Sequence, residues 1–499
     1  MKKFAQKLHI VLSRPSEGDS AADVDRLAAA LSEREPGSYI PFRTAKRCCS
    51  AIREGGYEVT ATLIKDGDRS RCVMIEPGDT RKKLLGIAAD LGSTTVTAEL
   101  VDINDGRTLA SSTDINAQTI FGDDILSRIF YTKDSPEKRL ELQQATTNTL
   151  NRLIKRVCTA AGGSVGDIAA AVISCNTTMA HFLLGLDAFP IFSAPFAPIM
   201  SAPPLMDADE AGLDIPGALF LIPAAANYLG GDTVSGIAAT GMYACDGISL
   251  LMDIGTNGEM ALGGSGFLIA GAGAAGPALE SGTGDTGMRA APGAVDSVAI
   301  RGGELTYTTI DNTPPVGICG SGIVDLLAQM LDAGWMDPSG HLVDGVSPRI
   351  ISADRGLAVI YATALESGTG KALAMSEEAI ASFTDTKAAA QTMASCLMQE
   401  AGVTPDMLDA VYLAGSFGRY IDVESAVRIG LYPDIDRRRL ICAGNTSLSG
   451  ARCVLTGAVS TDDTARIARE IYRVDFAMMG DFVSLMNAGR FYPPREVKG

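Results

Sequence analysis

Two stretches of the chain share one pattern, and no other feature of the sequence limits the fold as much. Residues 86–101 read as an apolar strand that ends on Asp90, a short turn and a second strand. Residues 249–263 repeat this order, with Asp253 at the end of the first strand. The turn residues are Gly92, Ser93, Thr94 and Thr95 in the first copy, and Gly255, Thr256 and Asn257 in the second. Because the repeat distance is far too long for a solenoid, we expect two related halves of one domain.

A carboxylate at a strand end, followed by Gly and hydroxyl side chains, suits a phosphate group that is chelated to Mg²⁺. Glycine lets the backbone approach the phosphate, turn amides and hydroxyls donate to its oxygens, and the carboxylate orders the metal and its waters. One such hairpin is also compatible with an ordinary Thr-rich turn, but two copies favour nucleotide binding. We therefore predict that Asp90 and Asp253 hold Mg²⁺ and organise water, and that the turn residues contact phosphates.

The strand order around the hairpins narrows the class of nucleotide fold. The turn Asn104-Asp105-Gly106 leads into a third strand over residues 107–113. This antiparallel meander argues against a Rossmann or P-loop unit, in which a helix follows the Gly-rich turn. A later buried strand, residues 408–414, runs into a turn of small residues on which a flat base can lie. The residues predicted beside adenosine are Gly415, Ser416, Phe417 and Gly418.

Two further segments place polar residues after apolar ones. Asn176, Thr177 and Thr178 follow the apolar strand at residues 168–174, and Asp232 lies in a Gly-Gly-Asp-Thr sequence that opens a helix ending at Thr240. We include these residues among the candidate nucleotide contacts. Thr177 and Thr178 are interpreted as phosphate or hinge residues, or equally as the start of a capped helix.

A chain of 499 residues exceeds what one hydrophobic core supports, so several domains are expected. Residues 1–84 read as a small α+β module, in which Ser20 is predicted to cap a helix running to Leu31. The segment from Glu377 to Glu400 is predicted to be helical in two pieces, and residues 462–472 in one. The predicted divisions are the module at 1–84, a first lobe at 85–245, a second lobe at 246–480 whose C-terminal segment returns toward the first, and a tail at 481–499 that frays after Arg490.

Composition excludes several classes of function. The net charge of −17 disfavours general binding to nucleic acid or to an anionic membrane, because the phosphates would be repelled. The sequence contains no apolar run of the roughly 20 residues that span a bilayer and no signal peptide. Its ten cysteines are scattered and form no Cys-x-x-Cys pair, which favours a reducing cytoplasm over a disulfide scaffold or a zinc site.

In this order the motifs resemble the phosphate and adenosine motifs of the actin, sugar-kinase and seventy-kilodalton-chaperone superfamily. Within it, the chain resembles the reductive activators of corrinoid proteins. The matching motifs are Cys-Asn-Thr-Thr-Met at 175–179, Ala-Pro-Phe at 194–196, Gly-Gly-Asp-Thr at 230–233, Asp-Ile-Gly-Thr-Asn-Gly-Glu at 253–259, Ala-Gly-Pro-Ala-Leu-Glu at 275–280, Gly-Met-Arg-Ala-Ala-Pro-Gly at 287–293, Ile-Cys-Gly-Ser-Gly at 318–322 and Leu-Ala-Gly-Ser-Phe-Gly at 413–418. The first module resembles the middle domain of that family, through residues 59–64 and 75–80.

The resemblance implies an α/β fold, namely a two-lobed actin-like ATPase with duplicated ribonuclease-H-like lobes behind the small module. It implies ATP and Mg²⁺ as ligands, and a corrinoid protein of a methyltransferase system as the partner, returned from Co(II) to Co(I). From the charge and the hydropathy we expect neither a nucleic acid nor a membrane partner, and since relatives form dimers, a homodimer is among the assemblies expected.

Two departures from the family pattern qualify this expectation. Such activators carry a ferredoxin-like iron–sulfur domain, yet this chain begins where that domain would finish and shows no four-cysteine cluster pattern. We therefore expect a separate ferredoxin-type electron donor. The sequence also has Asn116-Ala117-Gln118 where the family pattern predicts Asn-Pro-Gln.

Two other functions fit the same motifs. A small-molecule kinase of the superfamily would need a base beside the γ-phosphate, for which Asp232 or Glu280 is a candidate, but no kinase-specific substrate motif is evident. A scaffold that binds nucleotide without turning it over is the other alternative. ATP hydrolysis, phosphate transfer and tight binding of ADP distinguish the three.

Overall fold

The structure is a computed structural model that describes residues 4–255, 257–276, 278–415 and 421–494, apart from the side chains of residues 280 and 281. The first module is a four-stranded sheet with strand order β1-β3-β4-β2 and three helices. Its elements are β1 (Ala5–Val11), α1 (Asp23–Arg34), β2 (Ser38–Tyr39), α2 (Phe42–Cys48), α3 (Ser50–Glu54), β3 (Glu58–Asp66) and β4 (Arg69–Pro77).

The predicted cap of the first helix is wrong. The N-cap residue of α1 is Ala22, which makes no side-chain capping bond, and Ser20 lies outside the helix. The polar turn before α1 is fixed instead by Asp19, whose carboxylate accepts from the Arg26 guanidinium at 2.5 and 2.6 Å. Asp23 and Asp25 place negative charge in the first helical turn, where the helix dipole favours it.

The hairpin at residues 86–101 forms as predicted and lies inside a six-stranded sheet of order β7-β6-β5-β8-β10-β9. β5, β6 and β7 form the antiparallel meander, and β8 and β10 follow in parallel. The elements of this part are β5 (Leu85–Leu91), β6 (Thr95–Asp102), β7 (Thr108–Ile115), α4 (Ile125–Thr132), α5 (Pro136–Ala160), β8 (Ile168–Cys175), α6 (Thr177–Leu184), α7 (Phe189–Phe192), β9 (Met206–Asp207), β10 (Ala218–Leu221) and α8 (Gly231–Thr240).

The second hairpin also forms, inside a second six-stranded sheet of order β21-β20-β11-β12-β13-β22. Two three-stranded sheets, β15-β14-β16 and β17-β18-β19, extend this part. Its elements are β11 (Ile248–Ile254), β12 (Asn257–Gly263), β13 (Leu268–Ala274), α9 (Ala278–Ser281), β14 (Ala294–Arg301), β15 (Glu304–Thr309), β16 (Gly317–Ile318), α10 (Gly320–Ala333), β17 (Ile350–Ala353), β18 (Gly356–Ala362), β19 (Leu373–Ser376), α11 (Glu377–Ala401), β20 (Leu408–Ala414), α12 (Val423–Arg428) and β21 (Leu440–Gly444).

The C-terminal elements are α13 (Thr446–Thr456), α14 (Thr461–Glu470), β22 (Ile471–Arg473) and α15 (Phe482–Gly489). The predicted helix at 462–472 therefore ends two residues early, and its last residues form a strand. The chain beyond Arg490 is not frayed where it is described, because Tyr492 is buried and its hydroxyl lies 2.6 Å from that of Thr384.

The sheets of the two halves share one topology, although their sequences differ. In each, a meander of three antiparallel strands is followed by two strands parallel to its first: β5-β8-β10 in one half and β11-β20-β21 in the other. The chain divides into two compact units. One contains the residues up to Gly241 together with Thr446–Glu470, and the other contains Met242–Asn445 and the residues from Ile471 onward. Among the described residues, no helix has the length and apolar character needed to cross a membrane.

Candidate functional site

In the first unit the candidate site lies at the carboxyl end of the parallel strands. Asp90 is near the end of β5, in register with Ser174 on β8. The hydroxyl of Ser447, from α13, donates to Oδ1 of Asp90 at 2.7 Å. Ser447 and Asp90 are 357 residues apart in the sequence, so this contact had no local sequence signal. Because a hydroxyl is a neutral donor, this bond orients the Asp90 carboxylate without neutralising its charge.

A second carboxylate lies close to Asp90. Asp232 is in the first turn of α8, where its carboxylate accepts from the Thr233 backbone N–H at 2.8 Å. Burial, with a further contribution from Asp90, raises the pKa of Asp232 to about 6. A buried carboxylate whose pKa is raised partly by a neighbouring carboxylate marks a place where a divalent cation is favourable.

A buried cysteine, Cys175, lies near both carboxylates. Burial, with the charges of Asp232 and Asp90, raises the pKa of the Cys175 thiol well above its ordinary value. The thiolate is the reactive form of cysteine, so this shift disfavours Cys175 as a nucleophile or a metal ligand. It acts as a buried apolar residue at the end of β8.

The turn of the first hairpin presents backbone to its surroundings. A Cβ atom at Gly92 would lie 2.5 Å from the carbonyl oxygen of Thr95, so this tight turn requires glycine. Ser93 and Thr94 are partly exposed and Thr95 is exposed, which leaves their amides and hydroxyls accessible. The turn thus has the form that a phosphate contact needs, and its role stays a prediction.

Asn176 caps a helix, in agreement with the interpretation of this segment as the start of a capped helix. Its side chain accepts from the N–H of Met179 at 2.9 Å, at the start of α6. The Thr177 hydroxyl donates to the carbonyl of Ala226 at 2.8 Å and so holds the loop before α8 against the start of α6. Thr178 is buried beside it. These bonds account for Asn176 and Thr177 as structural residues, and no contact to a ligand is needed to explain them.

The second unit carries the matching half of the motif set. Asp253 lies in register with Glu259 across the hairpin and with Ala414 of β20. Gly415 has φ +90°, and a Cβ there would lie 3.2 Å from Oδ1 of Asp253, so the Gly415 backbone runs beside this carboxylate. The amide of Gly255 donates to the carbonyl of Asn257 at 2.8 Å and closes the turn.

Four predicted residues lie outside the described part of the chain: Thr256, Ser416, Phe417 and Gly418. Their predicted contacts to phosphate and adenosine stay predictions from the sequence.

One buried side chain indicates a ligand or water in the first unit. The carboxamide of Asn227, in the loop before α8, is 4% exposed, and neither its oxygen nor its nitrogen has a hydrogen-bond partner among the described residues. Burying a polar group without a partner costs about 1–3 kcal/mol. Asn227 lies next to Ala226, which the Thr177 hydroxyl holds, so the unpaired amide lies in the loop that leads into α8 and Asp232. The sequence alone did not indicate Asn227, since an asparagine in a loop carries no distinctive pattern.

The residues present fit Mg²⁺ with phosphate better than a metal held by protein alone. Within the described ranges, no group of three or more His, Cys, Asp or Glu side chains is placed to hold a metal ion. Mg²⁺ bound to nucleotides typically takes one or two carboxylates and completes its coordination with water and phosphate. The Asp90–Asp232 pair provides such a partial set of ligands.

Comparisons with known proteins agree with this fold. Residues 247–498 match the family model described as the C-terminal domain of RACo, the ASKHA domain. Residues 85–245 match the RACo middle region, and residues 1–82 match the RACo linker region. The fold is therefore that of the ASKHA proteins, the superfamily to which actin and the sugar kinases belong.

Relatives with assigned names point to one family inside this class. The chain is 31% identical over 444 residues to the corrinoid activation enzyme RamQ of Eubacterium limosum, covering 86% of this chain and 73% of that protein. It is 28% identical over 284 residues to the [Co(II) methylated amine-specific corrinoid protein] reductase of Methanosarcina barkeri, covering 52% of this chain and 48% of that one. A solved reductive activator for corrinoid, iron–sulfur protein is 34% identical with a TM-score of 0.88, over 99% of this chain and 80% of the other. The chain belongs to the RACo family, the reductive activators of corrinoid proteins.

The comparisons correct one assignment. The first module matches the linker region of the family and the middle region begins at residue 85, whereas we expected the module to resemble the middle domain. The motifs at 59–64 and 75–80 are therefore linker motifs.

Proposed function

We propose that this chain binds and hydrolyses ATP with Mg²⁺ and uses that reaction to activate a corrinoid protein. The observation that carries the proposal is the likeness, over nearly the whole chain, to a solved reductive activator. The carboxylates and turns at the strand ends of both units support it, because each matches the residue types that phosphate and Mg²⁺ require.

The residues have the following roles in this proposal. Asp90, Asp232 and Asp253 orient the waters of the metal and the water that attacks ATP. The turn residues Gly92, Ser93, Thr94, Thr95, Gly255, Thr256 and Asn257 donate to phosphate oxygens, and Gly415 with its three following residues lies beside adenosine. Bound Mg²⁺ would neutralise phosphate charge as the bond to the terminal phosphate breaks.

Activation requires an electron from elsewhere. Water and ATP give ADP and phosphate, while one electron from a separate ferredoxin-type donor converts Co(II) to Co(I) on the partner and leaves the donor oxidised by one electron. Nucleotide binding acts on the partner only if two conformations of this chain differ in their affinity for both ligands. All ten cysteines are free, which supports the cytoplasm as the compartment.

The replacement of Asp253 by Asn tests the nucleotide site. Asp253→Asn keeps the shape of the side chain and removes the charge that orders Mg²⁺ and water, so we expect the rate of Mg-ATP hydrolysis to fall about tenfold or more. Phosphate release is measured with the purified protein, alone and with a corrinoid protein. Asp344→Asn, at an exposed position, serves as the control and is expected to keep the wild-type rate.

Each other outcome supports a different function. Phosphate transfer to a small molecule would favour a kinase, and tight ADP binding without turnover would favour a scaffold. Equal hydrolysis rates for Asp253→Asn and wild type would show that the second hairpin is not part of the site. Formation of Co(I) on the partner, followed by its absorbance, is expected only with ATP, the partner and an electron donor together.

A further inference from the structure

The turn of the first hairpin is held from behind by buried donors. Three consecutive carbonyl groups of the turn accept hydrogen bonds. Asn116 donates from Nδ2 to the carbonyl of Gly92 at 2.9 Å and from its backbone N–H to that of Thr94 at 2.9 Å. Arg128 donates from Nη1 to the carbonyl of Ser93 at 2.6 Å. Every peptide carbonyl between Gly92 and Thr94 is therefore fixed.

Fixing carbonyls also fixes amides. In a planar trans peptide, the C=O of one residue and the N–H of the next point in opposite directions. The bonded carbonyls of Gly92 and Ser93 thus direct the N–H groups of Ser93 and Thr94 away from the buried donors. Successive amides that point to one side form an anion-binding concavity. Neither of these two N–H groups has a hydrogen-bond partner among the described residues.

The donors belong to one connected cluster, which we call the turn support: Asn116, Gln118, Arg128 and Thr146. All four side chains are buried. The Oε1 atom of Gln118 accepts from Nη1 of Arg128 at 3.2 Å, and its amide donates to the Thr146 hydroxyl. Asn116 also caps the 3-10 helix Ala117–Phe121 by accepting from the N–H of Gln118 at 3.1 Å.

Arg128 is an unusual member of the turn support. Its guanidinium is fully buried, and in the described part of the chain it forms no ion pair. Besides Ser93 and Gln118, the guanidinium contacts the carbonyl of Gly122 through Nε at 2.9 Å, while Nη2 has no hydrogen-bond partner among the residues that the structure describes. Burial lowers the pKa of Arg128, which reflects the cost of removing this charge from water, and the charges of Asp124 and Asp123 offset that effect only in part. A buried cation behind a turn attracts anions in front of it, since interior charges are weakly screened.

We propose that Asn116 and Arg128 are positioning residues for nucleotide phosphates, because they orient the turn amides and place a positive charge behind them. The inference rests on the proposed ATP function of the same turn. Neither side chain touches the nucleotide in this proposal; both act through the backbone of Gly92, Ser93 and Thr94.

The local departure from the family pattern is compatible with this role. Ala117 stands where the pattern predicts proline, and unlike proline it has a backbone N–H to satisfy. That N–H donates to the Thr149 hydroxyl on α5 at 3.2 Å. The position is the first of the 3-10 helix, so Asn116 keeps its geometry with either residue.

Asn116→Asp tests the proposal. Aspartate keeps the acceptor that caps the 3-10 helix but replaces the donor to Gly92 with an oxygen, so the turn loses one support. We expect the dissociation constant of Mg-ATP to rise about tenfold or more, and that of AMP, which lacks the outer phosphates, to change less than about twofold. A general loss of folded protein would weaken both nucleotides alike.

Asn151→Asp is the matched control. Asn151 has the same bonding pattern, with Nδ2 donating to the carbonyl of Gly212 at 3.0 Å and Oδ1 accepting from the N–H of Asp214 at 2.9 Å, but it lies on α5 away from the turn. Its variant should bind ATP as wild type does. Arg128→Lys keeps the charge, but lysine cannot reach three carbonyl or amide oxygens at once, so this variant should bind nucleotides as Asn116→Asp does. If Asn116→Asp fails to fold, Arg128→Lys takes its place in the experiment.

Hydrogen exchange separates this inference from the proposed function. Amides in the peptide covering residues 86–101 should exchange several-fold faster in Asn116→Asp than in wild type and Asn151→Asp. If wild type binds no nucleotide, the proposed function fails. The exchange rates then show only whether Asn116 orients the backbone of the turn. Unchanged exchange, or an equal loss of ATP and AMP affinity in folded protein, would overturn the inference.

Discussion

His181 holds two segments of the first unit together through both of its ring nitrogens. Nδ1 donates to the carbonyl of Thr177 at 2.7 Å, one turn earlier in α6. Nε2 accepts from the backbone N–H groups of Ile199 and Met200, at 3.1 and 3.4 Å. Since one nitrogen donates and the other accepts, the ring must be neutral in the folded state.

This geometry predicts a dependence of stability on pH. Burial lowers the pKa of His181 below its ordinary value of 6.5. Above pH 6.5 the ring is neutral in the folded and the unfolded chain, so its stabilising contribution is complete. As the pH falls below 6.5, the unfolded chain binds the proton first and that contribution is lost.

The measurement is the free energy of unfolding between pH 7.5 and 5.0, for wild type and His181→Gln. The difference between the two should be largest at pH 7.5, on the order of 1–3 kcal/mol, and should shrink toward pH 5.0. His341→Gln is the comparison variant, because the His341 side chain is 73% exposed and its replacement removes no buried hydrogen bond. A difference that grows as the pH falls would contradict the neutral ring.

For single residues, the sequence predicted contacts between near neighbours in the chain but not contacts between distant segments. Asn176 accepts from the N–H of Met179, as expected for the start of a capped helix, because a cap depends on residues three positions apart. The bonds of Arg128 to Ser93 and of Ser447 to Asp90 join distant segments. No local pattern of residue types indicates which distant partner such a side chain meets.

Among the elements, α8 and α13 are joined by a chain of hydroxyl groups. The hydroxyls of Ser235 on α8 and Ser174 on β8 are 2.8 Å apart, and so are those of Ser174 and Ser447 on α13. Ser447 also donates to Asp90, and Ser235 donates to Ser174, so the hydroxyl of Ser174 lies at the point where the two helices meet β8.

Close approach of the two helices requires a glycine. A Cβ atom at Gly450 of α13 would lie 2.4 Å from the carbonyl oxygen and 2.6 Å from Cα of Ser235. Backbone cannot move aside as a flexible side chain can, so we expect Gly450→Ala to lower the free energy of unfolding by about 1–3 kcal/mol. Thermal unfolding measures this. Gly166→Ala should have little effect, because the nearest atom to its Cβ would be the Ser164 hydroxyl at 3.6 Å.

The prediction for α11 was wrong in a way that has a physical reason. The sequence suggested two helical pieces, yet Glu377–Ala401 is one helix. The polar residues in its middle are satisfied without a break: Thr384 donates to the carbonyl of Ile380 at 2.8 Å and Thr386 to that of Ser382 at 3.4 Å. Lys387 reaches the carbonyl of Phe491 at 2.9 Å, a partner that local sequence does not reveal.

For the whole molecule, the repeated strand order was the most predictable property. The two hairpins fixed the expectation of related halves, and both sheets have the expected meander. The path of the chain was harder to predict in detail. The segment Thr446–Glu470 belongs to the first unit through its spatial contacts, and such contacts leave no pattern in the local sequence. Leu455 of α13, for example, packs on Gly86 of β5, where a Cβ would lie 2.7 Å from its side chain.

This discontinuity predicts how fragments behave. Residues 1–241 lack α13, whose side chains Ala451, Val454 and Leu455 are buried in the intact chain, so that fragment should expose apolar surface and bind a hydrophobic dye. A fusion of residues 1–241 to residues 446–470 through a flexible linker should unfold cooperatively. Cooperative unfolding of the shorter fragment would show that α13 is dispensable.

The segments of the two units are synthesised on the ribosome at different times. Residues up to Gly241 emerge first, but their missing segment follows only after Met242–Asn445 has been translated. At about 5–20 residues per second, that interval lasts on the order of 10–40 seconds. The second unit waits as well, since it includes residues from Ile471 onward. Neither unit can be completed before its last segment has been translated, so the unfinished chain exposes apolar surface during that interval.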